Sequence, residues 1–173
     1  MKFYRFGNED KPVIMLLPGT CCHWKSNFGK VIPLLADTVR VLCVSYDGFD
    51  ETERTEFSSM IEETEKIEAY IRENYGGRIC AAYGCSLGGS FVGLLAARQR
   101  VQIDYGILGS SDLDQASPFV AKLQTDLLLP LIYPLLRDGQ FKSRLLQKCL
   151  EKRKAKMSGY VQAFMDMFGG ARP

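Results

Sequence analysis

Gly84-Cys85-Ser86-Leu87-Gly88-Gly89 is the segment whose residue types and spacing could do chemistry. Gly84-x-Ser86-x-Gly88 is the spacing of a nucleophile elbow, a serine carried on a sharp strand-to-helix turn with its Oγ standing above a sheet. Small flanking residues let a strained backbone turn without clashes. A helix starting at Leu87 aims its first amides at an oxyanion developing beside the serine. A bare match to the spacing is weak. Here the apolar run Ile79–Tyr83 precedes it and the apolar helical pattern Phe91–Arg98 follows, which is the context the chemistry needs.

A second loop complements the first. The apolar run Val13–Leu17 ends in Pro18-Gly19-Thr20-Cys21-Cys22-His23-Trp24. A glycine after the first buried strand lets the chain bend back and point an amide into a cleft. The Leu87 amide and that of Thr20 or Cys21 would form an oxyanion hole for an acyl group on Ser86. Any strand-to-helix connection needs such a turn, so the loop alone leaves a purely structural role equally open. Its pairing with the serine turn favours the oxyanion role.

The elements that must position these loops follow from hydrophobic periodicity. Residues 2–6 alternate weakly, as an edge strand does. Val13–Leu17, Val39–Val44, Ile79–Tyr83 and Ile103–Leu108 are short apolar runs of the kind buried on both faces of a parallel sheet. Between them, Asn27–Ala36 reads as a short helix with an apolar side of Phe28, Val31, Ile32, Leu34 and Leu35. A longer helix opens at Ser59 with Glu62 in capping-box spacing and stops at Gly76-Gly77. Its apolar face would be Ile61, Thr64, Ile67 and Ile71. Residues 51–74 hold eight acidic and three basic side chains, most simply a solvated outer face. The alternation predicts an α/β fold, residues 1–112, with a mostly parallel sheet flanked by helices. Residues 113–173 read as helices only, a cap or lid in which Phe119, Leu123 and Leu127 recur at helical spacing.

Composition narrows the function classes. The 173 residues carry 22 basic and 20 acidic side chains, which gives no reason to expect a nucleic-acid partner. With 46% hydrophobic residues the chain can build a core of ordinary size. The longest apolar run, Leu127–Leu136, holds two prolines and is too short to span a bilayer. No CxxC spacing occurs among the six cysteines and there is one histidine, so no metal site or cofactor is expected. No secretory leader is visible, and the expectation is a cytoplasmic chain with reduced thiols. Residues 139–157 hold seven basic side chains and one acidic, read as a solvated helix face in preference to a membrane dock.

Four segments, LLPGT (16–20), YDGFDET (46–52), GCSLGG (84–89) and ILGSSDLD (107–114), resemble the α/β-hydrolase family. The match covers the first two-thirds of the chain, and residues 113–170 look like a helical cap inserted after the strand Ile103–Leu108. The resemblance implies Ser86 as nucleophile and the amides of Leu87 and Thr20 (or Cys21) as oxyanion hole. It implies Asp112, just past a strand end, as a candidate acid. Pro18-Gly19 stands where many members have His-Gly, a departure read as a difference in loop packing.

The family's triad runs Ser, then Asp or Glu, then His, and none of the 87 residues after Ser86 is histidine. A serine hydroxyl is a poor nucleophile near neutral pH without a general base. The sole histidine, His23, lies in the first loop, where a plain surface-loop position is the first reading, a role at the rim of a substrate site beside Cys21 the second, and that of base the last. Two functions stay open on the sequence. One is a serine ester or acyl hydrolase scaffold, inactive or very weak in this 173-residue form, as if its last strands were missing. The other is a non-catalytic binding protein that kept the elbow and lost the base. In either case the pocket, with Phe119, Leu123 and Leu127 as its roof, would suit a small apolar ester-like ligand. A sheet lacking its last strands would leave Ile103–Leu108 an uncovered edge, so self-association through that edge or the cap helices is expected.

Overall fold

The computed structural model describes residues 1–20 and 22–111, together with Ser117, Phe119, Lys122, Leu123, Thr125–Leu127 and Pro130. The chain divides into two compact units, Met1–Leu113 and Asp114–Arg172. In the first, the strands are β1 (Lys2–Phe6), β2 (Val13–Leu17), β3 (Arg40–Ser45), β4 (Arg78–Cys85) and β5 (Gln102–Gly109). The helices are α1 (Trp24–Phe28), α2 (Ile32–Ala36), α3 (Met60–Tyr75) and α4 (Leu87–Arg98). One mixed sheet results, in the order β1-β3-β2-β4-β5. Only β1 runs antiparallel; β3, β2, β4 and β5 are parallel, as the alternating apolar runs required.

The two faces of the sheet are read directly from strand alternation. Met15, Leu17, Leu42, Val44 and Ala82 face a core completed by Ile67 and Ile71 of α3 and by Phe91 and Leu95 of α4. Leu16, Val41 and Cys43 face the opposite side, against Trp24, Phe28 and Ile32. Burial pushes the Cys43 thiol up to about 12, so it is an inert packing group. β4 and β2 sit at the centre, which brings the loops after both strands to one edge of the sheet.

Three sequence expectations need correction. Asn27–Ala36 is not one helix: α1 ends at Gly29, and Pro33 sits in the first turn of α2. Pro33, which has no amide hydrogen to bond back into α1, opens a second helix instead of continuing the first. Val31 and Leu34 are exposed, and only Phe28 and Ile32 of the expected apolar side are buried. On α3, capped by Ser59 Oγ accepting from the Glu62 amide, Ile61 is exposed while Glu63 and Glu68 are fully buried. The acidic stretch is therefore not merely a solvated face. Glu68 pairs with Arg98 of α4 at 2.7 Å, tying the two helices together. Glu63 accepts from the Asp47 amide at 3.0 Å and from Lys66 at 2.7 Å. Tyr46, Asp47 and Asp50, in the loop that follows β3, are likewise buried.

The loop after β3 should make the fold acid-labile. Burial alone would raise the Asp47 carboxyl, but hydrogen bonds from Lys66, the Met1 amine and Thr55 outweigh it and hold the pKa at about 2. Asp50 is opposed by burial in the same way and is lowered by bonds from Thr52 and Tyr4. Both carboxylates stabilise the fold fully above their unfolded pKa of about 4, and that stabilisation is lost as pH falls through the folded values. His23 adds to the trend, because burial lowers its pKa below 6.5 and the unfolded chain takes up its proton first. The urea midpoint should fall from pH 6.5 downward and steepen below about pH 4. His23→Gln should remove the upper part of the decline alone; an unchanged profile in that variant would contradict the assignment.

Among the described strands β5 lies at the edge of the sheet, and Tyr105, Ile107 and Leu108 on it are exposed. Among the described residues, no helix is long and apolar enough to cross a membrane.

Candidate active site

β4 ends at Cys85 and α4 begins at Leu87, so Ser86 alone makes the turn between them. Its φ of +52° with ψ of −115° is a conformation L-residues rarely adopt, at a cost of about 1–3 kcal/mol. Its side chain does not cap α4 and the residue is exposed. Leu87, as the first residue of α4, has an amide with no intrahelical acceptor. The turn is held from β5: the Ser86 amide donates to the Gly109 carbonyl at 2.7 Å, and Ser111 Oγ donates to the Ser86 carbonyl at 2.9 Å.

Close approach explains the glycines around the serine. A Cβ on Gly84 would lie 2.1 Å from the Gly88 carbonyl carbon and oxygen, and one on Gly88 would lie 2.1 Å from the Leu17 carbonyl oxygen. One on Gly89 would fall 1.6 Å from Ser111 Oγ. The helix thus packs directly on the backbones of the two central strands, with no room for a methyl group.

The loop after β2 lies beside this turn. A Cβ on Gly19 would sit 3.6 Å from the Ser86 Cβ and 3.4 Å from the Cys85 carbonyl oxygen. Pro18 O accepts from the Tyr46 hydroxyl at 3.2 Å, and the Gly19 amide donates to Asn27 Oδ1 at 2.8 Å. The Cys22 amide donates to the Gly19 carbonyl at 3.1 Å. Thr20 is exposed. Asn27 Nδ2 also reaches Cys85 Sγ at 3.9 Å, so the half-buried thiol next to Ser86 is a packing and hydrogen-bonding group.

His23 is 6% exposed and is the N-cap of α1: its Nδ1 accepts from the Lys25 amide at 3.2 Å. With Nδ1 the acceptor, the neutral ring carries its proton on Nε2 and has no free lone pair to take another. Burial lowers its pKa, Lys25 adds to that, and Glu51 and Asp50 oppose it. No hydrogen bond joins His23 to Ser86 among the described residues. Cys21 and Asp112 lie outside the described residues. Phe119, Leu123 and Leu127 are helical, exposed residues of the second unit. A cavity of about 500 Å³ lies at the other end of α4, lined by Ala96, Gln99, Arg100 and Ile103 among others, and takes no part in the Ser86 site. No group of three or more potential metal ligands occurs among the described residues.

Sequence reasoning found the serine turn and the Gly19 loop but missed Asn27, Tyr46 and Ser111. Tyr46 and Ser111 stand in segments that flank strand ends, and Asn27 stands four residues after His23. Only the spatial meeting of β2, β3, α1 and β5 marks them out.

No protein-family model and no curated protein sequence matches the chain. Solved structures do. An alpha/beta hydrolase family protein from Desulfitobacterium hafniense superposes with TM-score 0.71 at 22% identity, covering 83% of this chain and 56% of that one. The enol-lactonase from Burkholderia xenovorans LB400 gives 0.63 at 17% identity, over 98% and 66%. This chain has the α/β-hydrolase fold. A thioesterase domain from the curacin biosynthetic pathway is similar in the same way, with TM-score 0.59 and 21% identity over 73% of this chain and 48% of that one. The chain spans about half to two-thirds of the length of these hydrolase-fold structures. Their shared sheet accounts for why the two glycine-bearing loops end side by side.

Proposed function

We propose that this chain is a serine acyl-hydrolase scaffold in which Ser86 is the nucleophile toward a small apolar ester, thioester or lactone. The observation that carries the reading is the exposed Ser86 at positive φ on the N-terminus of α4, with the Gly19 loop packed against it. Ser86 Oγ would attack the acyl carbon, its proton would pass to a base, and the alcohol or thiol would leave as the acyl-serine ester forms. Water would then cleave that ester and regenerate the hydroxyl. The amides of Leu87 and Thr20 would receive the oxyanion. The enol-lactonase and the thioesterase domain among the structural neighbours support the acyl class. The free thiols of Cys43, Cys80 and Cys85 fit a cytoplasmic location.

One observation favours the second reading, a binding protein without turnover: the one histidine in the sequence has its Nδ1 committed to a helix cap. Supplying the base from solution separates the two. Imidazole should accelerate phosphonylation of the chain by a fluorophosphonate probe, with the adduct on Ser86 and none in Ser86→Ala. A folded chain that imidazole leaves unlabelled would leave the binding role standing.

The exposed β5 edge supports self-association between two copies. Sedimentation should show mass rising with concentration; a monomer throughout would remove this proposal.

A further inference from the structure

We infer that Asn27 and Tyr46 are positioning residues for the oxyanion loop, gripping the two edges of one peptide plane. The inference rests on the acyl-hydrolase reading of Ser86. The plane is that of Pro18–Gly19. Its carbonyl oxygen accepts from the Tyr46 hydroxyl at 3.2 Å, and its N–H donates to Asn27 Oδ1 at 2.8 Å. A trans peptide is a rigid unit, so holding both edges stops it rotating about the chain axis. Between that plane and the Thr20 amide lie the φ and ψ of Gly19, and the Cys22 amide, which donates to the Gly19 carbonyl at 3.1 Å, ties both. In a trans unit the Gly19 carbonyl and the Thr20 N–H point in opposite directions. Three hydrogen bonds therefore fix the direction of the Thr20 N–H.

Both grips are themselves anchored. Tyr46 is 1% exposed and its ring stacks on Phe91 of α4, centroids 4.7 Å apart. Burial, and after it Glu63 and Cys85, hold its phenol well above the usual range, so it remains a donor. Asn27 stands on α1, and its Nδ2 lies against Cys85 Sγ, which orients Oδ1 toward Gly19. One side chain thus touches the loop and the residue preceding Ser86. The β2 pairing with β4 ends at Leu17, so the strand ladder does not fix this plane.

The test uses the 173-residue chain, imidazole-assisted fluorophosphonate labelling of Ser86, and amide hydrogen exchange at Gly19. Asn27→Ala should slow labelling about 10-fold, less than the roughly 10²–10³-fold cost of losing an oxyanion donor outright. It should also speed exchange at Gly19. Tyr46→Phe removes one oxygen, leaves the stacked ring and should slow labelling in the same direction; it carries the test if Asn27→Ala does not fold. Asn27→Asp keeps an oxygen acceptor and should label faster than Asn27→Ala, with Gly19 still protected. A role in stability alone would lower the urea midpoint without slowing the folded protein. Labelling of folded Asn27→Ala within twofold of wild type, or Asn27→Asp no faster than Asn27→Ala, would overturn the inference. Unlabelled wild type would instead defeat the hydrolase reading, and this inference with it.

Discussion

Gly88→Ala should cost about 3 kcal/mol or more of stability, the upper end of what overpacking a core does. The added methyl carbon would lie 2.1 Å from the Leu17 carbonyl oxygen and 2.7 Å from its carbonyl carbon. Those are backbone atoms of the central strand β2, paired on one side with β3 and on the other with β4. They cannot swing aside as a lysine tip could. Relief needs α4 to lift from the sheet, which would also uncover Phe91 and Leu95, both fully buried. Gly76→Ala is the control. Gly76 has a φ of +60° and nothing within 4 Å of a built Cβ, so its cost is only that of left-handed backbone, about 1 kcal/mol. Urea melts of both variants check the contrast. Equal midpoints would mean that α4 does not pack on β2 as closely as described.

The steric origin of these glycines shows what a sequence can and cannot convey. The pattern Gly84-x-Ser86-x-Gly88 was legible because each glycine answers a local need, the crossing of a strand into a helix packed on its own sheet. The strands were legible because parallel strands buried on both faces leave continuous apolar runs, as in Val41–Val44. The clamp on the first loop was not legible. Asn27, Tyr46 and Ser111 act through contacts over 8 to 28 residues, and each is an unremarkable polar residue in its own neighbourhood. Glu63 and Glu68 misled for a related reason. Carboxylates are read as surface residues unless a partner is known, and their partners, the Asp47 amide with Lys66 for one and Arg98 for the other, are set by tertiary structure.

Ester turnover carries the second large effect. The 173-residue chain without added base should hydrolyse p-nitrophenyl acetate at or near the background rate, orders of magnitude below a serine hydrolase with its triad. When a triad member is missing, the oxyanion hole and substrate binding still give about 10³–10⁴-fold over water, against a loss of about 10⁶ in turnover. This chain is expected on the low side of that divide. Ser86 is exposed at positive φ, but the sole histidine is buried and spends its Nδ1 on the Lys25 amide. His23→Ala should therefore leave the slow rate unchanged while costing about 1 kcal/mol of stability through the lost cap. Ser86→Ala should change the base-free rate little and abolish the imidazole-dependent labelling. A high base-free rate lost in both variants would show that His23 leaves its cap to act as base. A high rate lost in Ser86→Ala alone would place the base on a group other than histidine.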